Sequence, residues 1–178
     1  AERVAFWQQG NAAPVAVADS YNTNVNTTLT VPPPGVLGND SDANLDPLTA
    51  ILSTAPTLGS LNFQPDGSFV YTPTLDFSGL VTYTYVVSDG LDLSNVATVS
   101  ITVPNTPPEA DDDAIDATAG VARLITAAEL VGNDSDINGD GLTIDSVTYP
   151  AGGTAVLNPD GTVTYTVDAS LAGIDTFD

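Results

Sequence analysis

The sequence contains no cysteine, no histidine, no methionine and no lysine, and its only two basic residues are Arg3 and Arg123. Each absence removes a class of chemistry. Without Cys and His there is no thiolate or imidazole metal site, and no catalysis built on either. Without Lys there is no Schiff base and no P-loop. The net charge is −21 over 178 residues. Such a surface repels nucleic-acid phosphates and anionic lipid head groups, so no nucleic-acid partner is expected. No apolar run approaches the roughly 18 residues of a spanning helix, so no membrane insertion is expected. Methionine is missing even at position 1. That points to a mature or excised segment, with any signal peptide outside it. The lack of Cys fits any compartment.

What remains is acid, oxygen and β-formers. Of 23 acidic residues, 20 are Asp and 3 are Glu. Asp is poor in helix interiors and good in turns and as an oxygen ligand. Hard cations held through oxygen therefore stay open. Thr, Val, Gly and Pro give a strand-and-turn composition. Apolar residues make up 42%. That is too many for a disordered acidic tail, so a core is expected.

The chain repeats itself at an offset of 94. Gly38-Asn39-Asp40-Ser41-Asp42 recurs as Gly132-Asn133-Asp134-Ser135-Asp136. Asp46, Leu48 and Thr49 return as Asp140, Leu142 and Thr143, and Pro65-Asp66-Gly67 returns as Pro159-Asp160-Gly161. Aligned without gaps, 14–84 and 108–178 share 22 identities in 71 pairs. The organisation is an extension (1–13), repeat 1 (14–104), a linker (105–108) and repeat 2 (109–178). Within repeat 1 the apolar period is two. It predicts strands near 15–20, 25–31, 48–55, 58–64, 68–73, 80–87 and 95–103. Asp66-Gly67 is a hairpin signal. Tyr71, Tyr83, Tyr85, Phe63 and Phe69 fall at strand spacing and are expected in the core. Seven short strands in about 90 residues predict an all-β fold of two tandem immunoglobulin-like sandwiches. In repeat 2 the second strand (121–126) places Arg123 where repeat 1 has Leu29, so its register or local structure is expected to differ. Asp178 aligns with Thr84, so counterparts of 85–103 are absent and the second sandwich lacks its last strand.

Val-Leu-Gly-Asn-Asp-Ser-Asp (36–42), Asp-Gly-Ser-Phe-Val-Tyr-Thr-Pro (66–73), Phe-Ser-Gly (77–79), Tyr-Thr-Tyr (83–85), Ser-Asp-Gly (88–90) and Ala-Thr-Val-Ser-Ile-Thr-Val (97–103) carry a family resemblance. With them, the chain resembles the bacterial cadherin-like, immunoglobulin-like tandem repeats of large secreted adhesins and surface proteins. The resemblance covers about 14–178. It implies a calcium-binding sandwich used as a spacer, secreted or at the cell surface. It specifies neither a ligand nor an enzyme activity.

The candidate chemistry lies in one spacing. Asp40, Asp42, Asn44 and Asp46 read D-x-D-x-N-x-D, as do Asp134, Asp136, Asn138 and Asp140. Oxygens at alternate positions of a curled loop converge on one point, and Ca²⁺ takes six to eight of them. Repeat 2 adds Gly139 at the sixth position and Asp145 at the twelfth, as in an EF-hand loop with Asp for Glu, though no flanking helices are expected. Carboxylates about 5 Å apart repel by about 3 kcal/mol per pair at an effective dielectric near 20, and a divalent ion removes that cost. A flexible all-protein oxygen cage suits calcium better than magnesium. A solvated Asp/Asn-rich turn is the alternative for one loop. The same spacing in two repeats favours the ion. Topology puts Asp89 at the same end as Asp40, Asp42 and Asp46. Glu109, Asp111, Asp112 and Asp113 fall near the junction, either as a calcium site that stiffens it or as an acidic linker. With Asp everywhere and no mark of an acid in an apolar pocket, no enzyme is expected. An exposed aromatic row would instead stack on sugar rings, which keeps a carbohydrate-binding module open.

Residues 1–10 align with 95–104, so the chain begins with a spare last-strand segment and ends short of one. Two readings stand: a window of a longer array with neighbouring repeats as partners, or head-to-tail self-assembly. In the second, residues 3–9, through Val4, Phe6 and Trp7, complete repeat 2 of a neighbour and build a filament.

Overall fold

The structure is a computed structural model that describes residues 10–171 and 173–178. It divides into two compact units between Asn105 and Thr106. The donor-strand expectation for residues 3–9 lies outside the described residues.

Repeat 1 holds seven strands: β1 (Asp19–Asn22), β2 (Leu29–Val31), β3 (Thr49–Thr54), β4 (Ser60–Phe63), β5 (Phe69–Thr72), β6 (Gly79–Ser88) and β7 (Ala97–Val103). They form two sheets, β1-β7-β6-β3 and β2-β5-β4. Alternation decides what faces inward. Val81, Tyr83, Tyr85 and Val87 of β6, Val99 and Ile101 of β7, and Phe69 and Tyr71 of β5 are all buried. Their rings meet edge to face, with Tyr21–Phe69 centroids 5.1 Å apart and Phe69–Tyr83 centroids 5.7 Å apart. This geometry suits the ring quadrupoles. Tyr71, Tyr83 and Tyr85 are thus core residues and present no row to a sugar.

Two strand boundaries differ from expectation. The first ladder begins at Asp19, not Val15, because residues 15–17 bond to a loop and to side chains instead; Val15 exchanges backbone bonds only with Ser41. The second ladder is only Leu29–Val31. Asn26 takes φ 56° and Thr27 N–H donates to the Asn24 carbonyl, making 24–27 a turn. Asn26 and Asp76 then exchange two hydrogen bonds, of 2.9 and 2.7 Å, which hold the turn. Asn tolerates that conformation where a β-branched residue would not.

The Asp66-Gly67 hairpin forms as read, with Gln64 N–H donating to Ser68 O and Gly67 at φ 82°. Gly67 has a second task. Val36 N–H donates to its carbonyl, and a Cβ here would lie 2.1 Å from the Pro34 carbonyl oxygen. The hairpin therefore packs backbone to backbone against a 3-10 turn at Gly35–Gly38.

Repeat 2 holds β8 (Ala122–Ile125), a one-turn helix α1 (Ala127–Leu130), β9 (Gly153–Leu157) and β10 (Val163–Val167). Its sheet, β8-β10-β9, copies β2-β5-β4. The register is identical at the 94-residue offset: Ile125 pairs with Val163 as Val31 with Phe69, and Arg123 with Tyr165 as Leu29 with Tyr71. Arg123 does not shift the register. Its long side chain lies across the strand with its head at the rim, where it pairs with Glu129 at 2.8 Å and donates to the Asp116 carbonyl. The local structure after it does differ. Thr126 and Glu129 form a capping box that starts α1, where repeat 1 has prolines and the 3-10 turn.

Among the described residues, no ladder forms at the positions aligned with β1, β3 and the start of β6 in repeat 2. The positions aligned with β6 reach only as far as Asp178. A first rung is in place, since Thr148 N–H donates to Asp178 O and Asp178 N–H to Thr148 Oγ1, at the positions aligned with the Thr54–Thr84 pair. The small core of Ile125, Val163 and Tyr165 is covered by Ile115, Ile144, Val147 and Phe177. No helix among the described residues is long and apolar enough to cross a membrane.

The two hairpin glycines give a paired test. Both have φ 82°, but the Cβ position at Gly161 meets only Ala127 Cβ at 4.0 Å. Gly161→Ala should cost about 1–2 kcal/mol from the left-handed backbone alone. Gly67→Ala should cost more, because backbone must also move, and thermal unfolding of the two variants measures the difference.

Candidate metal centre

The loop after the 3-10 turn is built by short side-chain bonds to the backbone. Asp42 Oδ1 accepts from the N–H of Asn44 at 2.7 Å and of Asp46 at 3.2 Å, an Asx turn that curls the loop. Asn44 Oδ1 accepts from Ala12 N–H at 2.7 Å. Val15 and Ser41 exchange backbone bonds, and Asp40 Oδ1 accepts from Val17 N–H at 2.7 Å. The loop is thereby stitched along residues 12–17.

Repeat 2 reproduces every stitch. Asp136 Oδ1 accepts from Asn138 and Asp140 N–H, Asn138 Oδ1 from Thr106 N–H, and Asp134 Oδ1 from Asp111 N–H. Glu109 and Ser135 exchange backbone bonds. Between 40–46 and 134–140 two residues differ, Ala43 for Ile137 and Leu45 for Gly139, and the second bears on the backbone. Leu45 sits at φ 64° and is 89% exposed, whereas Gly139 holds that position at φ 73°. The leucine costs about 1–2 kcal/mol there, so its flanking bonds must hold it.

The expected cage is sorted differently from its spacing. Asp40 turns inward, to Val17 N–H and the Tyr85 hydroxyl, because one face of the loop packs on the core end. Asp145 is exposed at the position of Ile51, past the curled loop, in a stretch without regular secondary structure. A helix does precede the second loop, contrary to expectation, but α1 is a single turn. Asp89 is linked to the loop through Asn11, whose Nδ2 donates to Asp89 Oδ2 and Asp92 Oδ2, both at 2.8 Å, while the next residue, Ala12, donates its N–H to Asn44 Oδ1. Amide bonds from Asp92, then Asn11 and Leu91, hold the Asp89 carboxyl below its usual range. Asp113 is pushed up, by desolvation first and then by the charges of Asp134 and Asp112. Among the described residues, no three acidic side chains converge on one point.

One atom in this loop has no partner. Asp42 is 7% exposed, and its Oδ2 is buried without a hydrogen bond. A buried carboxylate oxygen left unpaired is costly, and a cation removes the cost. Asn44 and Asp46 follow Asp42 in the same loop and offer oxygen, and Asp89 and Asp92 are tied to Asn11, next to the Ala12 that bonds Asn44. That chemistry fits a hard divalent cation.

A second cluster lies beneath the loop and was not foreseen. The Tyr85 hydroxyl is within 3.0 Å of Asp19 Oδ2, Asp40 Oδ2, Val17 O and Val36 O. Burial, and less so the charge of Asp40, pushes Asp19 up to about 6 against the lowering bond from Tyr85. Asp40 is raised by burial as well, and Tyr85 is raised by burial and by the two carboxylates. Asn95 is also new: its amide exchanges two bonds with the Ala16 backbone, of 3.1 and 2.8 Å.

The sequence pattern of the bacterial cadherin-like domain matches residues 11–104, more than half of the chain. The chain belongs to that family. The related cadherin-like domain pattern matches residues 104–178, so the fold is two cadherin-like β-sandwiches in tandem. No curated protein matches the chain. Among solved structures, Protocadherin gammaB7 EC3-6 is 14% identical with a TM-score of 0.48, over 88% of this chain and 40% of that one. Protocadherin Gamma B2 extracellular cadherin domains 3-6 are 14% identical, TM-score 0.46, over 89% and 39%. The endo-fucoidan hydrolase MfFcnA4 from glycoside hydrolase family 107 is 19% identical, TM-score 0.42, over 99% and 27%. The cadherin-like pair thus spans well under half of each of those chains.

The Asp19 cluster makes stability depend on pH in a defined direction. A carboxyl raised from 3.8 to about 6 on folding contributes stability that is full below 3.8 and lost as pH rises through about 6. In chelator, the melting temperature of repeat 1 should therefore fall between about pH 5 and 7, where the depressed carboxylates are already ionised. Asp19→Asn should flatten that fall in a series of melts across pH.

Proposed function

We propose that this cadherin-like pair is a calcium-stiffened structural spacer of an extracellular bacterial adhesin or other secreted surface protein, without catalytic activity. The observation that carries the reading is the buried, unpartnered Oδ2 of Asp42, in a loop where Asn44 and Asp46 offer further oxygens. Asp42, Asn44 and Asp46 are the proposed ligands of repeat 1, with Asp89 and Asp92 joining from the β6–β7 turn. Asp136, Asn138 and Asp140 take the same roles in repeat 2. Asp40 and Asp134 serve the backbone instead. Calcium accepts this number and irregularity of oxygens more readily than magnesium. Bound, it would neutralise the end of each repeat and fix residues 11–12 and Thr106 against the loop of their own repeat. Net charge of −21 and a family of repeats support an exterior, tandem setting.

Calcium should raise the melting temperature, with affinity of about 10⁻⁴–10⁻³ M or tighter, as in extracellular modules. At one hundred times the dissociation constant, the gain is about 2.7 kcal/mol for one site. Asp42→Ala should abolish the part belonging to repeat 1, whereas Asp40→Asn should lower stability with and without calcium alike. Superimposable melts of the full chain in calcium and in chelator would remove the proposal.

A further inference from the structure

Repeat 1 is entered at one end of a parallel strand pair and left at the other. β1 runs parallel to β7, with Asp19 opposite Val99, Ser20 opposite Ser100, Tyr21 opposite Ile101 and Asn22 opposite Thr102. β1 is the edge strand of its sheet, so β7 is its only ladder partner. The chain arrives at the start of β1 from residues 10–18 and departs past the end of β7 at Val103. Because the strands share a direction, these two points lie at opposite ends of the pair. Tension between them slides β1 along β7. Its hydrogen bonds then lie across the force and are strained together, not one after another.

The segment on either side of β1 is fastened by the same logic. Ahead of it, Val15 is bonded to Ser41, the Ala16 N–H and C=O both to the Asn95 amide, and Val17 N–H to Asp40. Behind it, Thr23 N–H donates to Thr102 O at 3.1 Å. Asn95 lies two residues before β7, so its clasp joins the approach to β1 with the approach to β7. The latch segment also touches the core, where Ala16 is buried and Tyr21 packs on Phe69.

We infer that residues 15–23 form a shear latch, in which the parallel β1–β7 pair and the Asn95 clasp together resist tension carried through repeat 1. The inference rests on the reading of the chain as a spacer but not on its calcium. It is therefore tested in chelator, where its failure and that of the metal site are separable. Single full-length chains are stretched between their two ends. Opening of repeat 1 is recognised by a length gain of roughly 300 Å, from about 90 residues at 3.3–3.6 Å each. A second attachment uses Leu91→Cys, a unique thiol in a chain without cysteine, placed in the exposed turn before β7. Pulling from the N-terminus against residue 91 loads β1 and β7 from the same end and peels them. The latch requires a several-fold higher opening force between the chain ends than against residue 91. It also requires Asn95→Ala to open about tenfold faster at constant end-to-end force, the equivalent of one to two ordinary hydrogen bonds. Asn62→Ala, an exposed change on β4, should leave the opening rate unchanged. Equal forces in the two geometries would overturn the latch, as would an unchanged opening rate in Asn95→Ala. Should that variant fail to fold, the comparison of geometries decides alone.

Discussion

The Tyr85 hydroxyl has one proton to give, and Asp19, Asp40, Val17 and Val36 all present oxygen to it. This shortage of donors organises one whole end of repeat 1. It draws the segment before β1 and the loop after the 3-10 turn onto the end of β6. It also turns Asp40 away from Asp42, so that the two carboxylates of one D-x-D step face different ways. A low-dielectric site strengthens such bonds and penalises any acceptor left over. Raised proton affinity at Asp19 and Asp40 follows from the same arrangement. The loop above can then curl with Asp42 pointing into protein instead of into water.

The β-sandwich was legible because strand periodicity is a local property. Val81, Tyr83, Tyr85 and Val87 announce their face without reference to any partner, and the structure buries all four. Segments 15–18 and 25–28 carry the same alternation yet do not pair as strands. Their backbone bonds go to Ser41, Asn95 and the Asn24 turn, partners that no local pattern discloses. The D-x-D-x-N-x-D spacing marked the right loop but could not divide its labour. Which carboxylate faces the core depends on Tyr85, far away in sequence. Asn11, Asp92 and Asn95 escaped notice because single amides and acids in turns are ordinary. The Thr126–Glu129 capping box did have a readable signal, a Thr followed three residues later by Glu.

The duplication separates what the sequence repeats from what the fold needs. The β8-β10-β9 sheet and the loop stitches recur despite modest identity, so they depend on few residues: the hairpin Asp-Gly, the Asx-turn aspartate and the buried Tyr of the central strand. Arg123 shows the tolerance of an edge position, where an aliphatic stem and a charged tip replace leucine without moving the register. The second sheet behaves otherwise. Residues 143–148 match β3 in position but not in structure, because β3 is held by β6 and a lone edge strand has no ladder of its own.

In both repeats, the residue that receives the arriving chain is fixed by the repeat it enters: Ala12 by Asn44, and Thr106 by Asn138. Each repeat therefore carries its own socket for the link that precedes it. An array built on this rule is modular in the engineering sense. Repeats can be gained or lost by recombination at the 94-residue period without redesigning any join, so the length of such a protein is free to change far faster than its fold.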